Sequence, residues 1–244
     1  GACFLGGYPL LRDLRTLRTH LELHTQDVIV VFLEQYVPTA MLASVLEEAA
    51  LTPHLWHPHE KPNADGPSRA FVWPTLAELR GNGTRLLLFT DEPAGSPRNP
   101  SPSPPWLPYA FDFVAETNFD VESVSSFDCT LRRGAVVNAS TPGAINPAKA
   151  AMQRQKATVL NHFITAPFAT PFLAEQANTY GSLFLHYQSC ETAWAAGWGD
   201  TNPPNFVSVD FWSLGHTLHF VADENLALAA ARGGTRRPNN DTAA

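Results

Sequence analysis

Several polar side chains in this sequence stand directly after runs of apolar residues. The clearest run is PNFVSVDFW, residues 204–212, in which a single carboxylate, Asp210, follows Phe206, Val207 and Val209. Burying an ionised carboxylate without a partner is costly, so we expect Asp210 to face a cavity at the end of a strand, or to be held by a cation or hydrogen-bond donors. The same arrangement recurs upstream, at Glu34, at Asp91 with Glu92, at Glu116, and at Asn161 with His162.

Carboxylates and imidazoles are the side chains that most often move protons in enzymes, and burial tunes their pKa for that work. We therefore predict Asp210, Glu116 and His162 as catalytic residues, and Asn161 and Trp212 as substrate-binding residues. Each position also has a structural interpretation: a glutamate can cap a helix or pair with an arginine, and His162 beside Asn161 can form a hydrogen-bonded pair in the core. Asp91 and Glu92 precede a proline-rich loop, where we expect them to be solvated.

The elements that would position these groups alternate along the chain. Residues 9–27 have leucines at helical spacing with arginines on the other side, which predicts an amphipathic helix. Pro38 and Thr39 begin a second helix, Thr75 and Glu78 have the spacing of a capping box closed by Gly81 or Gly83, and Thr170 with Pro171 starts a long helix toward Cys190. We predict buried strands at 28–36, 85–92, 111–117, 157–165 and 204–212.

Buried strands that alternate with helices and end in polar residues are typical of α/β proteins with parallel strands. No glycine fingerprint follows the first strand, which argues against a doubly wound sheet and favours a (β/α)8 barrel of the TIM type. In such barrels the carboxyl ends of the strands form one rim, so these polar side chains, with Asp91 or Glu92 counted once, should converge there. A closed barrel takes eight strands and we identify five, so we expect a barrel that is incomplete at its N-terminus.

Length and composition are those of one globular domain. The chain has 244 residues, of which 44% are hydrophobic, and a formal net charge of −7. This balance argues against nucleic-acid binding and against a polybasic membrane surface. No segment is long and apolar enough to span a bilayer. We predict a single domain over residues 1–231 and a disordered tail over 232–244.

The cysteines and the glycosylation sequons suggest an extracellular or secreted protein. Cys3, Cys129 and Cys190 are widely spaced and form no CxxC motif, so a zinc site is not expected, while one disulfide with a spare thiol is permitted. Asn-x-Ser/Thr triplets occur at three positions, Asn82, Asn138 and Asn240.

An ordered set of short strings in this sequence resembles a known family. These strings resemble the phosphatidylinositol-specific phospholipase C-like phosphodiesterases, the X-domain proteins with a TIM-type barrel, and the resemblance runs from Cys3 to about Asn225. The strings are LEQYV, WPTLAELRGNGTRLLLFTDE, ETNFD, FDCTLRRG, LNHF and PNFVSVDFW.

The resemblance implies a phosphoric diester hydrolase of lipid metabolism that acts on a small phosphodiester or a phospholipid headgroup. In this family one histidine deprotonates the attacking hydroxyl, a second protonates the leaving alcohol, and carboxylates orient both imidazoles. By resemblance, Asp210 matches the carboxylate that supports the base, and Glu34 stands where calcium-dependent members bind the metal, which implies Ca²⁺ as a cofactor. Asn161 and His162 match a family motif to which we assign no role by resemblance.

The histidines are where the sequence departs from the family pattern. Both catalytic histidines of the family precede the segment that this chain resembles, and neither the helix containing His20 and His24 nor the loop over residues 54–59 gives that context. We therefore expect the C-terminal portion of a barrel that is inactive alone. Two alternatives stay open: a catalytically silent barrel that binds a phosphorylated ligand, and a glycoside hydrolase with Glu34 and Glu116 roughly 5 to 10 Å apart.

Overall fold

A computed structural model describes residues 9–58, 72–137, 146–166, 168–199 and 202–231. No helix in these ranges is both long and apolar enough to cross a membrane. Cys3, Asn138, Asn240 and the predicted tail from residue 232 lie outside the described residues. The chain divides into two compact units, Gly1–Val114 with Ala151–Lys156, and Ala115–Ala150 with Ala157–Ala244.

The first unit is built on a pair of parallel strands. Ile29 lies opposite Leu86, and Leu33 lies opposite Thr90. Aliphatic side chains of both strands and of the first two helices form the core of this unit. Its elements are α1 (Leu10–Leu23), β1 (Ile29–Leu33), α2 (Thr39–Glu48), α3 (Leu76–Asn82), β2 (Leu86–Thr90) and α4 (Ala110–Phe113).

The second unit contains a three-stranded sheet and a long buried helix. The strands follow the order β3-β4-β5, and β4 is parallel to β5, with Asn161 opposite Ser208. The long helix, α7, packs one face into the core and is joined to a preceding loop by the disulfide Cys129–Cys190. The elements are β3 (Val114–Glu116), α5 (Pro147–Arg154), β4 (Ala157–Asn161), α6 (Pro171–Ala177), α7 (Tyr180–Trp198), β5 (Phe206–Ser208) and α8 (Thr217–Ala231), with Val114 of β3 and the last four residues of α5 counted in the first unit.

The helix signals in the sequence are confirmed with one correction. Thr75 and Glu78 form the capping box, and Gly83 ends the helix in the left-handed conformation at φ 74°. Thr170 accepts a hydrogen bond from the amide of Leu173, as expected for an N-cap. The single long helix predicted from Thr170 is wrong, because Asn178 ends α6 and Thr179 caps α7 by accepting from the amide of Ser182.

The strands are shorter than predicted, and two are less buried. The predicted strand over 111–117 is wrong in its first part, because Ala110–Phe113 is a helical turn. β2 and β4 are fully buried, but the side chains of β1 and β5 are only partly covered, so the prediction that β5 is buried on both faces is wrong. The α/β class with parallel pairing is confirmed. Within the described residues the strands form two separate sheets and no closed barrel.

Candidate functional site

Two of the predicted site residues meet where neighbouring strands end. Glu116 is the last residue of β3 and Asn161 the last of β4. The Asn161 side-chain nitrogen donates to Oε2 of Glu116 at 3.1 Å and to the carbonyl oxygen of Thr117 at 2.8 Å. The backbone amide of Asn161 donates to Oγ1 of Thr117 at 2.9 Å. Both side chains are buried, so the carboxylate is held by fixed donors rather than by water.

Arg133 completes this cluster with a positive charge. Its guanidinium forms an ion pair with Oε1 of Glu116 and lies over the ring of Phe119, 4.6 Å from the ring centroid. The Arg133 side chain stays 46% exposed, whereas that of Glu116 is 10% exposed. Two backbone hydrogen bonds, Glu116 N to Arg133 O and Arg132 N to Glu116 O, fix the arginine segment beside β3. No local pattern in the sequence predicts this role for Arg133.

His162 follows Asn161 and is fully buried. Its Nε2 lies 2.8 Å from the carbonyl oxygen of Ala177 and 3.3 Å from the hydroxyl of Ser182, and its Nδ1 lies 2.9 Å from Nδ1 of His186. Since a carbonyl oxygen only accepts, Nε2 of His162 carries the proton and Nδ1 accepts from His186. Both ring nitrogens are thus engaged inside the protein, and proton exchange with a substrate would require one of these contacts to break.

The two histidines form a buried pair, with the ring of Phe127 stacked on both. Burial lowers the pKa of His162 to about 4 and also lowers the pKa of His186. Apart from the Ser182 hydroxyl, which can donate or accept, the two neutral rings have three contacts and supply two N–H groups for them. The longest of these three, 3.2 Å from Nε2 of His186 to the carbonyl oxygen of Asp128, is therefore left without a proton.

Asp210 lies just beyond β5, in a turn over residues 210–216. Its carboxyl is partly buried, and this burial raises its pKa above the ordinary value. Among the described residues its carboxylate has no hydrogen-bond or ion-pair partner. The backbone carbonyl oxygen of Asp210 accepts from the side-chain nitrogen of Asn178 at 2.9 Å. The next two residues project outward, with Phe211 43% and Trp212 62% exposed.

In the first unit, Gln35 rather than Glu34 is the organising residue at the end of β1. Gln35 is buried and donates through Nε2 to Thr39 Oγ1 and to the carbonyl oxygens of Val37 and Arg98, while its Oε1 accepts from Thr90. Glu34 is exposed and accepts from the hydroxyl of Tyr36 at 2.8 Å. Side chains of successive residues in an extended chain point to opposite sides, so Gln35 is buried while its neighbour Glu34 is exposed.

The other two acidic residues predicted at strand ends are also engaged. Asp91 accepts from the backbone amide of Gln35 at 2.9 Å, and Glu92 forms an ion pair with Arg98. The first contact joins the ends of β1 and β2, and the second joins the proline-rich loop to the end of β2. Both carboxylates are partly exposed, so they are solvated in part and each also has a partner in the first unit.

Comparison with models of known protein families shows to which family this chain belongs. A family model described as PI-PLC X 1 matches residues 3–225. The chain belongs to the PI-PLC X family. No curated protein and no solved structure matched it. All the predicted site residues of this PI-PLC X protein fall within the matched range, and so do Arg133 and Asn178.

The calcium implied by the sequence was compared with the donors present in this PI-PLC X chain. Across the described residues, the one group of three potential ligands is Cys129, His186 and Cys190, in which the two sulfurs already form a disulfide. Calcium prefers several oxygen ligands, and among the described residues no group of three carboxylate, imidazole or thiol ligands includes Glu34. We therefore assign no step of the chemistry to a metal, and both Ca²⁺ and Glu34 as its ligand stay predictions.

Proposed function

We propose that this protein is a phosphoric diester hydrolase of the phospholipase C-like type, acting on a lipid or on a glycerol or inositol phosphodiester. The observation that carries the proposal is the family match, because it spans the chain from residue 3 to residue 225 and contains every predicted site residue. Family membership also speaks for phosphodiester chemistry over glycoside hydrolysis. Membership of a family does not by itself determine a reaction, so the function depends on what each group of the site can contribute.

Arg133 supplies the cation that a phosphodiester requires. A guanidinium presents a planar set of N–H donors that matches two phosphate oxygens, and it keeps its charge at all physiological pH values. Glu116 orients this guanidinium through its Oε1, and Asn161 in turn fixes Glu116 through its Oε2. The half-exposed arginine therefore stands on a buried support, which is how a binding group is held in one orientation.

Asp210 supplies a carboxylate that has no hydrogen-bond or ion-pair partner in the described part of the chain. In phosphodiester cleavage the attacking hydroxyl loses its proton as its oxygen bonds to phosphorus, and the leaving alcohol gains a proton as its bond to phosphorus breaks. Asp210 can take the first proton itself as a general base, a role that its raised pKa favours, and the leaving alcohol takes its proton from water. Trp212, two residues on and largely exposed, is placed to contact the substrate beside it.

A second candidate function is binding of a phosphorylated ligand without turnover. The environment of His162 favours it, since both ring nitrogens have internal partners and the pKa is lowered to about 4. Such an imidazole is neutral at pH 7 and is a poor general acid there. The two functions share the arginine site and differ only in whether the ester bond is cleaved.

The test uses the whole chain with phosphatidylinositol in mixed micelles and with glycerophosphoinositol, measuring release of the phosphate ester and, in parallel, binding by calorimetry. Arg133→Ala should weaken binding roughly tenfold or more. Arg133→Lys keeps the charge beside Glu116 and should fold normally while binding less well. Arg132→Ala is the matched control, because its guanidinium is 51% exposed and lies 3.7 Å from Asp128.

The outcomes separate the two functions. Ester release that is lost in Arg133→Ala and retained in Arg132→Ala supports the hydrolase. Binding with the same arginine dependence but without ester release supports the silent binding protein. If neither ligand binds or is cleaved, or if both arginine variants behave alike, the proposed site is wrong.

A further inference from the structure

The turn that carries Asp210 rests on one buried side chain from another part of the second unit. Asn178 is fully buried, and its side-chain nitrogen donates to the carbonyl oxygens of Asp210 at 2.9 Å and of Leu214 at 3.2 Å. Both partners can only accept, which fixes the orientation of the amide. The carbonyl oxygen of Asn178 accepts from the backbone amide of His216 at 2.8 Å. One residue thus holds the turn near its start and at its end.

The backbone of the turn approaches Asn178 very closely. Gly215 has φ +80°, and a Cβ built there would lie 2.5 Å from the carbonyl oxygen of Asn178 and 2.7 Å from its Cβ. Phe211 also adopts the left-handed region, at φ 48°, which is unfavourable for a residue with a side chain. A conformation of this kind persists only where surrounding contacts determine it, and Asn178 provides those contacts.

The segment between α6 and α7 that contains Asn178 has a second contact, with the residue that follows β4. Asn178 lies between α6 and α7, and the preceding residue, Ala177, accepts the hydrogen bond from Nε2 of His162. His162 follows the end of β4, so this segment is tied to β4 through Ala177 and to the turn after β5 through Asn178. The buried His162 thus has a structural role beside the candidate site, through its hydrogen bond to Ala177.

We propose that Asn178 is a positioning residue: its side-chain amide sets where the Asp210 carboxylate and the exposed Trp212 stand above the ends of β4 and β5. The proposal rests on the proposed function, because it takes Asp210 as a working group of that site. Loss of the amide donor should let the turn relax, since two carbonyl oxygens lose their shared partner. A displacement of about 1 Å at a reacting group can lower a rate roughly 100-fold.

Two variants change the turn in different ways. Asn178→Asp keeps the size of the side chain but faces the two carbonyl oxygens with a carboxylate oxygen instead of an N–H donor. Gly215→Ala leaves the Asn178 side chain intact and forces the turn away from it. Thr170→Ala is the control, because it removes the N-cap of α6 and so destabilises the same unit without touching the turn.

The measurements are kcat and KM for phosphatidylinositol cleavage and, independently of activity, the pKa of Asp210 followed by carboxyl-carbon NMR. Both turn variants should lower kcat roughly 10- to 100-fold with little change in KM, and should move the pKa of Asp210 toward its ordinary value. Thr170→Ala should lower Tm while leaving kcat and the pKa of Asp210 unchanged. A shifted pKa in a protein that cleaves no ester keeps the positioning role and defeats the hydrolase. An unshifted pKa in both turn variants overturns the positioning role, whether or not the protein is active.

Discussion

Asn161 donates a hydrogen bond to Oε2 of Glu116 at 3.1 Å, which joins the last residue of β4 to the last residue of β3. The other carboxylate oxygen of Glu116 pairs with Arg133. A buried carboxylate is tolerated when its charge is paired and its oxygens are hydrogen-bonded, and here both conditions hold. The cluster therefore combines a fixed anion with a half-exposed cation where two neighbouring strands end.

Removing the amide of this pair should cost stability. Asn161→Ala leaves Oε2 of Glu116 and the carbonyl oxygen of Thr117 without their donor, so we expect the free energy of unfolding to fall by about 1–3 kcal/mol. Urea denaturation followed by fluorescence measures this loss. Asn118→Ala is the control, because that amide bonds Asp120 within its own loop, and it should change stability by less than about 0.5 kcal/mol. Equal effects of the two substitutions would contradict the buried role of Asn161.

Acid should weaken the second unit through His162. Its pKa in the folded protein is about 4 and its ordinary value is 6.5, so between these pH values the unfolded chain binds a proton that the folded chain does not. Protonation of this histidine therefore costs the folded protein nothing above pH 6.5. As the pH falls from 6.5 toward 4, the free energy of unfolding decreases by a total on the order of 3 kcal/mol. His162→Gln retains an N–H donor for Ala177 but does not titrate. The free energy of unfolding of this variant should fall less steeply between pH 6.5 and pH 4 than that of the wild-type protein. Parallel curves for the two proteins would show that His162 does not cause the loss of stability in acid.

The sequence predicted which polar residues stand at or just beyond the strands, but not where each strand ends or which distant segments are in contact. An apolar run followed by a polar residue located Glu116, Asn161 and Asp210, and the first two are neighbours because β3 lies beside β4. The pattern could not decide whether Glu34 or Gln35 is the buried residue, because an apolar run does not show which of the next two residues faces the interior. Arg133 and Asn178 were missed because their partners are 17 and 32 residues away, where local periodicity carries no information.

The disulfide should account for a large part of the stability of the second unit. Cys129 and Cys190 are 61 residues apart, and closing a loop of that size lowers the entropy of the unfolded chain by an amount worth about 4 kcal/mol. Cys129→Ala, Cys190→Ala and the double variant should all lose about this much, because either single change breaks the bridge. Calorimetry of the three proteins tests this, and losses below about 1 kcal/mol would show that the bridge contributes little.

The most direct test of the proposed chemistry is the rate of phosphatidylinositol cleavage by the wild-type protein and by Asp210→Asn. The substitution keeps the shape of the side chain and removes a desolvated charge, so folding should be unaffected or slightly improved at neutral pH. If Asp210 supports the proton transfer, kcat should fall roughly 100-fold or more while the far-ultraviolet spectrum and Tm are retained. A variant that folds normally and cleaves at the wild-type rate would remove Asp210 from the mechanism and contradict the account.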